Sequence, residues 1–408
     1  MVNIDQTDER LQQSQGLHGA LTSFLRSVRA GDVGALPVVV GLLAIGTIFQ
    51  TLNPVFLSSG NLVNLILDSC AVGIIALGIV CVLLVGQIDL SVGSVSGFSA
   101  AIVAVLFVRQ DWNWVLAVLA ACLVACAIGL LYWILLTRFG VPSFVASLSG
   151  LLTFLGLQLA ILGDQGSVNL PFDSKLVSFA QLDFVPAWLS YVLAAVAALA
   201  TFATGYETMV RRRRANLSTS SLNLLIIGSV ALLVALEFLC WYLNQDRGVG
   251  WMVVFFVMLI LALNYAITRT GWGRSLLAVG GNAEAARRSG IHVRNVYLSA
   301  FVLCSLLTCV GGILAAGRLA SANLSSGTGD VNLNAIAAAV IGGTSLFGGR
   351  GSAFSALLGT LVISSIASGL TLLNLDSSYR FVITGLVLAI AVAIDSLARK
   401  SRASHGRA

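Results

Sequence analysis

Long uninterrupted apolar runs are the feature that most constrains the fold of this 408-residue chain. A helix rises about 1.5 Å per residue, so about 20 apolar residues are needed to cross the roughly 30 Å of hydrocarbon in a bilayer. Runs of this kind lie at residues 35–52, 69–86, 91–108, 114–136, 143–163, 186–206, 222–243, 251–268, 297–316, 353–374 and 380–397. A shorter run, AIAAAVIGGTSLFG at 335–348, fits either a crossing or a re-entrant element.

The composition agrees with a membrane environment. Hydrophobic residues make up 58% of the chain and charged residues 10%, whereas a soluble globular protein carries about 25% charged residues. We therefore predict an all-α fold, a polytopic transmembrane helical bundle with about 10–12 spans and with broken or re-entrant helices.

The net charge of +6 is informative because of where the basic residues lie along the chain. If 335–348 crosses the membrane and the N-terminus is inside, most arginines, including RRRR at 211–214, fall on one side. The basic residues left outside are Arg109, Lys175, Arg247, Arg318 and Arg380. Because basic loops are retained in the cytoplasm, both termini are predicted to be cytoplasmic. RRRR is interpreted as a topology anchor that meets membrane lipid headgroups, with protein docking as the alternative.

The predicted organisation is one transmembrane domain, 35–397, between two cytoplasmic segments. Residues 1–34 lack a continuous apolar core, so no cleavable signal peptide is expected. Helical spacing predicts a short amphipathic helix there, with a disordered tail as the alternative. Its apolar residues are Leu17, Ala20, Leu21, Phe24, Leu25 and Val28. A basic tail occupies 398–408.

Residue types used in catalysis are scarce. The three histidines, His18, His292 and His405, lie outside the predicted spans, and no G-x-x-x-x-G-K-[ST] phosphate loop is present. The glycine-rich stretch GGTSLFGGRGS at 342–352 follows an apolar run, which favours a sharp turn or close helix packing over phosphate binding. We predict no catalytic residue, no metal site, no cofactor and no nucleic-acid partner, and therefore not an enzyme.

Polar side chains within the apolar runs are the candidates for function, because an unpartnered ionisable group in hydrocarbon is costly. Asp89, in GQIDLSVG, is predicted either to cap the helix that follows or to line a pathway from a broken segment. The predicted pathway residues are Asp89, Ser91, Ser94, Ser143 and Thr344; helix-internal hydrogen bonds are the alternative. Asp68, just ahead of the second run, and Glu237 have no assigned role.

Two transporter classes remain open. One is an ion-coupled secondary sugar transporter, which needs ionisable groups near the midplane. The other is the membrane subunit of an ATP-driven importer, which needs a cytoplasmic element that contacts a separate ATPase. The polar stretch GGNAEAARRSGI at 280–291 favours the second class. It predicts a short helix with Glu284 near its start, small alanines on its surface and Gly290 at its end.

Four motifs carry a family resemblance. They are GQIDLSVGSVSG at 86–97, GVPSFVASLSGL at 140–151, GWGRSLLAVGGNAEAARRSGI at 271–291 and LNAIAAAVIGGTSLFGGRGS at 333–352. In this order they resemble the permeases of monosaccharide ABC importers of the ribose, galactose and xylose type. An additional stretch at 186–246, with two further spans, is similar in layout to the xylose-type permeases.

This resemblance implies a function and a set of partners. The chain would be a permease subunit for a monosaccharide, xylose or a related pentose, in the bacterial cytoplasmic (inner) membrane. The implied partners are a second permease copy, a cytoplasmic ATP-binding subunit and a periplasmic or lipid-anchored sugar-binding protein. Within the predicted coupling loop, 269–296, the residues implied to contact the ATPase are Asn282, Glu284, Ala285, Ala286, Arg287, Gly290 and Ile291.

Overall fold

The computed structural model describes residues 36–219 and 221–404. These residues form two compact units, a larger one from residues 36–183 and 250–396 and a smaller one from 184–249 together with 397–404. The amphipathic helix predicted within residues 1–34 and the last part of the basic tail, 405–408, lie outside the described residues.

Helices form nearly all of the regular structure. In chain order the elements are α1 (Leu36–Leu52), α2 (Ser59–Leu84), α3 (Val92–Ala104), α4 (Trp114–Arg138), α5 (Ser143–Leu162), β1 (Ser167–Asn169), α6 (Lys175–Val177), α7 (Ala187–Arg214), α8 (Leu222–Leu243), α9 (Trp251–Arg269), α10 (Gly271–Gly281), α11 (Ala283–Arg288), α12 (Val293–Leu319), β2 (Ser321–Asn323), α13 (Val331–Ile341), α14 (Phe354–Leu372) and α15 (Ser377–Ser404). Within residues 36–219 and 221–404, nine helices are long and apolar enough to cross a membrane, when α3 is counted together with the π-helical turn Val105–Arg109 that continues it. The shorter apolar helices are α1, α13 and the stretch Phe381–Ile390 within α15. The predicted polytopic all-α fold is confirmed.

Helix α2 is the core of the larger unit. Of its most apolar stretch, 83% is buried inside the protein, although its composition would suit a lipid-facing helix. It packs closely on α12, where Gly78 lies against the backbone of Cys304. A side chain at Gly78 would overlap that backbone, so the glycine permits the close approach of the two helices.

The start of α2 differs from the sequence prediction. The second apolar run was expected to begin at residue 69, with Asp68 ahead of it, but the helix begins at Ser59 and includes Asp68. The carboxylate of Asp68 accepts a hydrogen bond from Nε of Arg318, on α12, at 2.8 Å. The same guanidinium donates to Asn64 at 3.0 Å. Polar residues that marked a loop in the sequence are therefore accommodated in a helix, because a basic side chain from a distant part of the chain pairs with them.

The ambiguous region around 335–348 belongs to a segment that is only partly helical and that joins the two ends of the larger unit. Before α13, strand β2 pairs antiparallel with β1, at the end of the larger unit where α5 ends. After α13, the amide of Gly349 donates to the carbonyl of Leu84, the last residue of α2, at the opposite end. The segment 320–341 therefore runs from one end of the larger unit to the other as an extended stretch followed by a short helix, which favours the crossing over the re-entrant alternative. We call these two ends the Asn323 end and the Asn282 end.

Helices α7 and α8 of the smaller unit pack against each other as a pair. Nδ2 of Asn244 donates to the hydroxyl of Ser190 at 3.1 Å, and Gly205 leaves room for Leu225. The RRRR stretch forms the last turn of α7, and Nε of Arg212 donates to the carbonyl of Ser218 at 2.8 Å. The four arginines thus lie in the helix itself, and one of them binds the turn that follows it.

The crossing of 320–341 predicts opposite accessibility for two exposed positions. We expect a cysteine at Leu324, beside the paired strands, and one at Arg350, beside the end of α2, to react with a membrane-impermeant thiol reagent from opposite sides. The measurement is labelling of Leu324→Cys and Arg350→Cys in right-side-out and inverted vesicles, with the wild-type chain as the blank for its native cysteines. Labelling of both positions from one side would contradict the crossing.

Candidate functional site

The short helix α11 is held rigidly to the helix before it by one residue, Asn282. The backbone amide of Asn282 donates to the carbonyl of Ala278 at 3.0 Å, at the end of α10. Its side-chain oxygen accepts from the amide of Ala285 at 2.9 Å and so caps α11. A side-chain cap of this type satisfies an amide that the helix itself leaves free. Because Asn282 ends one helix and begins the next, the direction of α11 is set by α10.

The surface of α11 is charged and exposed. The carboxylate of Glu284 is paired with Arg287 and with Nε of Arg288, the latter at 3.2 Å. The hydrogen bonds from Arg287 and Arg288 hold the pKa of Glu284 below its usual value, so the carboxylate is ionised at neutral pH. Such exposed pairs add little to stability. Only Ala286 of this helix is buried, so the charged side chains are free to meet another surface.

The chain turns sharply after α11. The amide of Ile291 donates to the carbonyl of Ala286 at 3.0 Å, and that of Gly290 donates to the carbonyl of Arg287 at 3.0 Å. Gly290 has a φ of +90°, in the region that glycine adopts without strain. The turn leads directly into α12, so α11 is anchored at both of its ends.

An open cleft of about 1020 Å³ lies beside α11. Its walls come from α11, from the start of α12 and from the end of α4. Gln87, which lies between α2 and α3, also lines it. The cleft therefore brings the charged helix close to the break that precedes α3.

That break contains a buried chain of hydrogen bonds. One carboxylate oxygen of Asp89 accepts from the amide of Ser91 at 2.8 Å and from its hydroxyl at 2.6 Å. The hydroxyl of Tyr132, on α4, donates to the hydroxyl of Ser91 at 2.6 Å. Asp89 thus binds the amide of the residue just before α3, which is close to the predicted capping role, and it shapes the break through Ser91.

Most of the other predicted pathway residues also lie at the break before α3. The hydroxyl of Ser94 donates to the carbonyl of Ser91 at 2.9 Å, and that of Ser143 accepts from the amide of Ile88 at 3.3 Å. Thr344 lies apart, in the turn after α13, and is buried. All except Ser143 are buried within this chain. Their contact with a transported molecule stays a prediction.

Among the buried polar residues that were not singled out from the sequence, two in apolar runs bind distant parts of the chain. One is Tyr132, described above. The other is Gln158, on α5, whose amide nitrogen donates to the carbonyls of Asn323 at 3.0 Å and Ser326 at 2.9 Å. A glutamine inside an apolar span was a usable signal, because a side-chain amide in hydrocarbon requires partners. Here it holds the extended part of the crossing that leads to α13.

The chain of hydrogen bonds predicts an order of stabilities. Ser91→Ala removes the hydroxyl that donates to Asp89 and accepts from Tyr132, so that this carboxylate oxygen of Asp89 keeps only the backbone amide of residue 91 and Tyr132 loses its acceptor. We expect a loss of about 2–3 kcal/mol, whereas Tyr132→Phe removes one donor and costs about 1 kcal/mol. Thermal unfolding of the purified protein in detergent measures both. Ser149→Ala is the control, because its exposed hydroxyl bonds only to its own helix and its loss should cost less than about 0.5 kcal/mol. Equal losses for Ser91→Ala and Tyr132→Phe would contradict the arrangement.

Comparison with known proteins identifies the family. A family model described as "Branched-chain amino acid transport system / permease component" matches residues 61–392. The xylose transport system permease protein XylH of Escherichia coli (strain K12) is 31% identical over 367 residues, which cover 89% of this chain and 92% of that protein. The XylH protein of Haemophilus influenzae is 29% identical over 372 residues, 90% of this chain and 95% of the relative.

A ribose permease is similar over a comparable length. The ribose import permease protein RbsC of Escherichia coli (strain K12) is 29% identical over 359 residues, 88% of this chain and 92% of that protein. No solved structure matches the chain. Because the family model covers residues 61–392 and the relatives align over most of their length, the chain belongs to this family of membrane permease components.

Proposed function

We propose that this chain is the membrane-spanning permease subunit of an ABC importer that carries a monosaccharide, xylose or a related pentose, into a bacterial cell. The cytoplasmic (inner) membrane is its proposed location. Relatives named for xylose and ribose align with most of the chain, which favours a sugar over the branched-chain amino acids in the family's description. The additional helices α7 and α8 support the xylose type.

The exposed helix α11 is the observation that carries this proposal. It presents Glu284, Arg287 and Arg288 to solvent although their pairs contribute little to folding. It is fixed at its start by Asn282 and at its end by the turn through Gly290. A rigid, charged projection suits a contact that transmits force from a separate ATP-binding subunit. The chain would then be a transport subunit without its own ATPase site, and its partner would hydrolyse ATP.

A second permease copy is proposed to cover the extended part of the crossing. Leu324, Ser325 and Gly329 are exposed in this segment. Between these residues the segment reaches membrane depth, since Gly327 lies against Gly93 of α3. Non-helical backbone at this depth is tolerated only against protein or a water-filled path. A second copy of the chain would cover this backbone with protein, and the water-filled path of the sugar would lie between the two copies.

The pathway residues take a supporting place in this proposal. Because Asp89, Ser91 and Ser94 are buried, we assign them to holding the break before α3, with access to the sugar only when the spans move. Ser143 is partly exposed and is the one that a neutral polyol could reach in the present arrangement. A periplasmic or lipid-anchored binding protein would deliver the sugar at the Asn323 end.

Charge reversal on α11 tests the proposal. We expect Glu284→Arg to reduce copurification of an ATP-binding subunit from native membranes, and uptake of labelled D-xylose, by about tenfold, because it replaces the anion at the centre of the contact. Glu207→Arg is the matched control, since Glu207 is also an exposed glutamate paired with an arginine, Arg211. It should leave both readouts unchanged.

The contrary outcomes are distinct. Uptake that is driven by an ion gradient and proceeds without any ATP-binding subunit would support the secondary-transporter alternative. Uptake of labelled leucine in place of xylose would show that the substrate is a branched-chain amino acid, the class named in the family's description. Equal effects of the two charge reversals would show that α11 does not form the contact with the ATP-binding subunit.

A further inference from the structure

Three separate backbone segments meet beside α11, and glycines make the meeting possible. They are the end of α2, the end of α10 and the turn after α13. We call Gly86, Gly280, Gly348 and Gly349 the glycine junction. The amide of Gly349 donates to the carbonyl of Leu84 at 3.0 Å, which joins the turn to the end of α2 by a hydrogen bond.

The packing at the junction leaves no room for a side chain. A methyl group added to Gly280 would overlap the carbonyl oxygen of Leu84 and lie 2.5 Å from the amide nitrogen of Gly349. One added to Gly348 would lie 2.7 Å from the carbonyl oxygen of Gly280 and 2.8 Å from the amide nitrogen of Gly86. These neighbours are backbone atoms, which cannot rotate away as a flexible side chain can. Each segment therefore bears directly on the other two.

The junction is connected to α11 by a short, stiff path. Gly280 is two residues before Asn282, which ends α10 and caps α11. The amide of Asn282 donates to the carbonyl of Ala278, so the last turn of α10 is closed by a hydrogen bond. A displacement of α11 along or across its axis must therefore move Gly280 or break one of these bonds.

The junction also leads into the interior along two routes. Past Gly86 the chain enters the break with Asp89 and then α3. Before Gly348 lies α13, the helical half of the crossing that begins with the exposed extended segment. The two routes meet again inside the membrane, where the side-chain amide of Asn332, on α13, donates to the carbonyl of Leu90 at 2.6 Å.

We propose that the glycine junction transmits movement of α11 to α2, to the break before α3 and to α13. Gly280 and Gly348 are positioning residues for transport, and they neither touch the sugar nor contact the ATPase. The proposal rests on the function proposed above. It assigns to these glycines a role in coupling that exceeds packing, because they join the exposed charged helix α11 to the break before α3 and to the segment that leads into α13.

The chain offers a matched pair of variants for the test. Gly280→Ala fills the contact with Leu84 and Gly349, whereas a methyl group at the adjacent Gly281 meets nothing within 4 Å. The wild-type and variant permeases, each with its ATP-binding subunit and its binding protein, are reconstituted in vesicles. D-xylose uptake, ATP hydrolysis with and without xylose, and copurification of the ATP-binding subunit are measured on the same preparations.

For Gly280→Ala we expect copurification to be retained and the number of xylose molecules moved per ATP to fall by about tenfold. Gly281→Ala should keep this ratio within about twofold of wild type. A change in packing alone would lower the melting temperature without changing the ratio. A folded Gly280→Ala permease with a wild-type ratio overturns the proposal. If the wild-type permease neither retains an ATP-binding subunit nor takes up xylose, the proposed function has failed before the junction is tested.

A second measurement applies if Gly280→Ala does not fold. Phe347 precedes Gly348 in the turn and is 49% exposed. The labelling rate of Phe347→Cys is measured with the ATP-binding subunit free of nucleotide and trapped with ATP and vanadate, the wild-type chain serving as the blank. We expect the rate to change by at least about threefold on trapping. An unchanged rate, together with an unchanged rate for Arg350→Cys, overturns the proposal.

Discussion

The structure depends on one constraint, that every backbone amide and carbonyl within the membrane must find a hydrogen-bond partner inside the protein. Helices meet it along most of the chain. Among the described residues, the break between α2 and α3 and the extended stretch before α13 do not. Side chains from other helices form hydrogen bonds with the backbone of both segments. Ser143 and Asn332 bind the break, and Gln158 binds the extended stretch. The polar residues of the interior serve first to make non-helical backbone tolerable there.

These two segments are also what a transporter requires. A continuous helix resists changes of direction, whereas a break held by a few hydrogen bonds can rearrange at lower cost. The hydrogen bond from Asn332 to Leu90 joins the two breaks, so a movement of one is communicated to the other. The tightly packed helix α2 leads directly into the break before α3 and packs against α13. Its contacts at Gly78 and at the glycine junction give that core little freedom to absorb a displacement locally.

The arrangement separates three tasks within one chain. In the proposed function the exposed helix α11 contacts the ATP-binding subunit, the glycine junction connects α11 with the interior, and the breaks lie along the path of the sugar. None of these tasks requires a nucleophile, a metal ligand or a nucleotide site in the chain itself. A permease with an external energy source therefore fits both the chemistry that the residues offer and the family to which the chain belongs.

The sequence by itself determined the class of fold, because the length and hydropathy of an apolar run are local properties that set whether it can cross a bilayer. It also indicated α11, since Glu284 near a helix start and Gly290 at its end are signals that lie within a few residues of each other. Only the tertiary structure decided which polar residues meet. Asp68 with Arg318 and Gln158 with Asn323 are pairs far apart in the chain. It also decided that 320–341 runs from one end of the larger unit to the other, because that depends on two contacts at opposite ends of the unit. Such contacts are set by three-dimensional packing, and no periodicity along the chain records them.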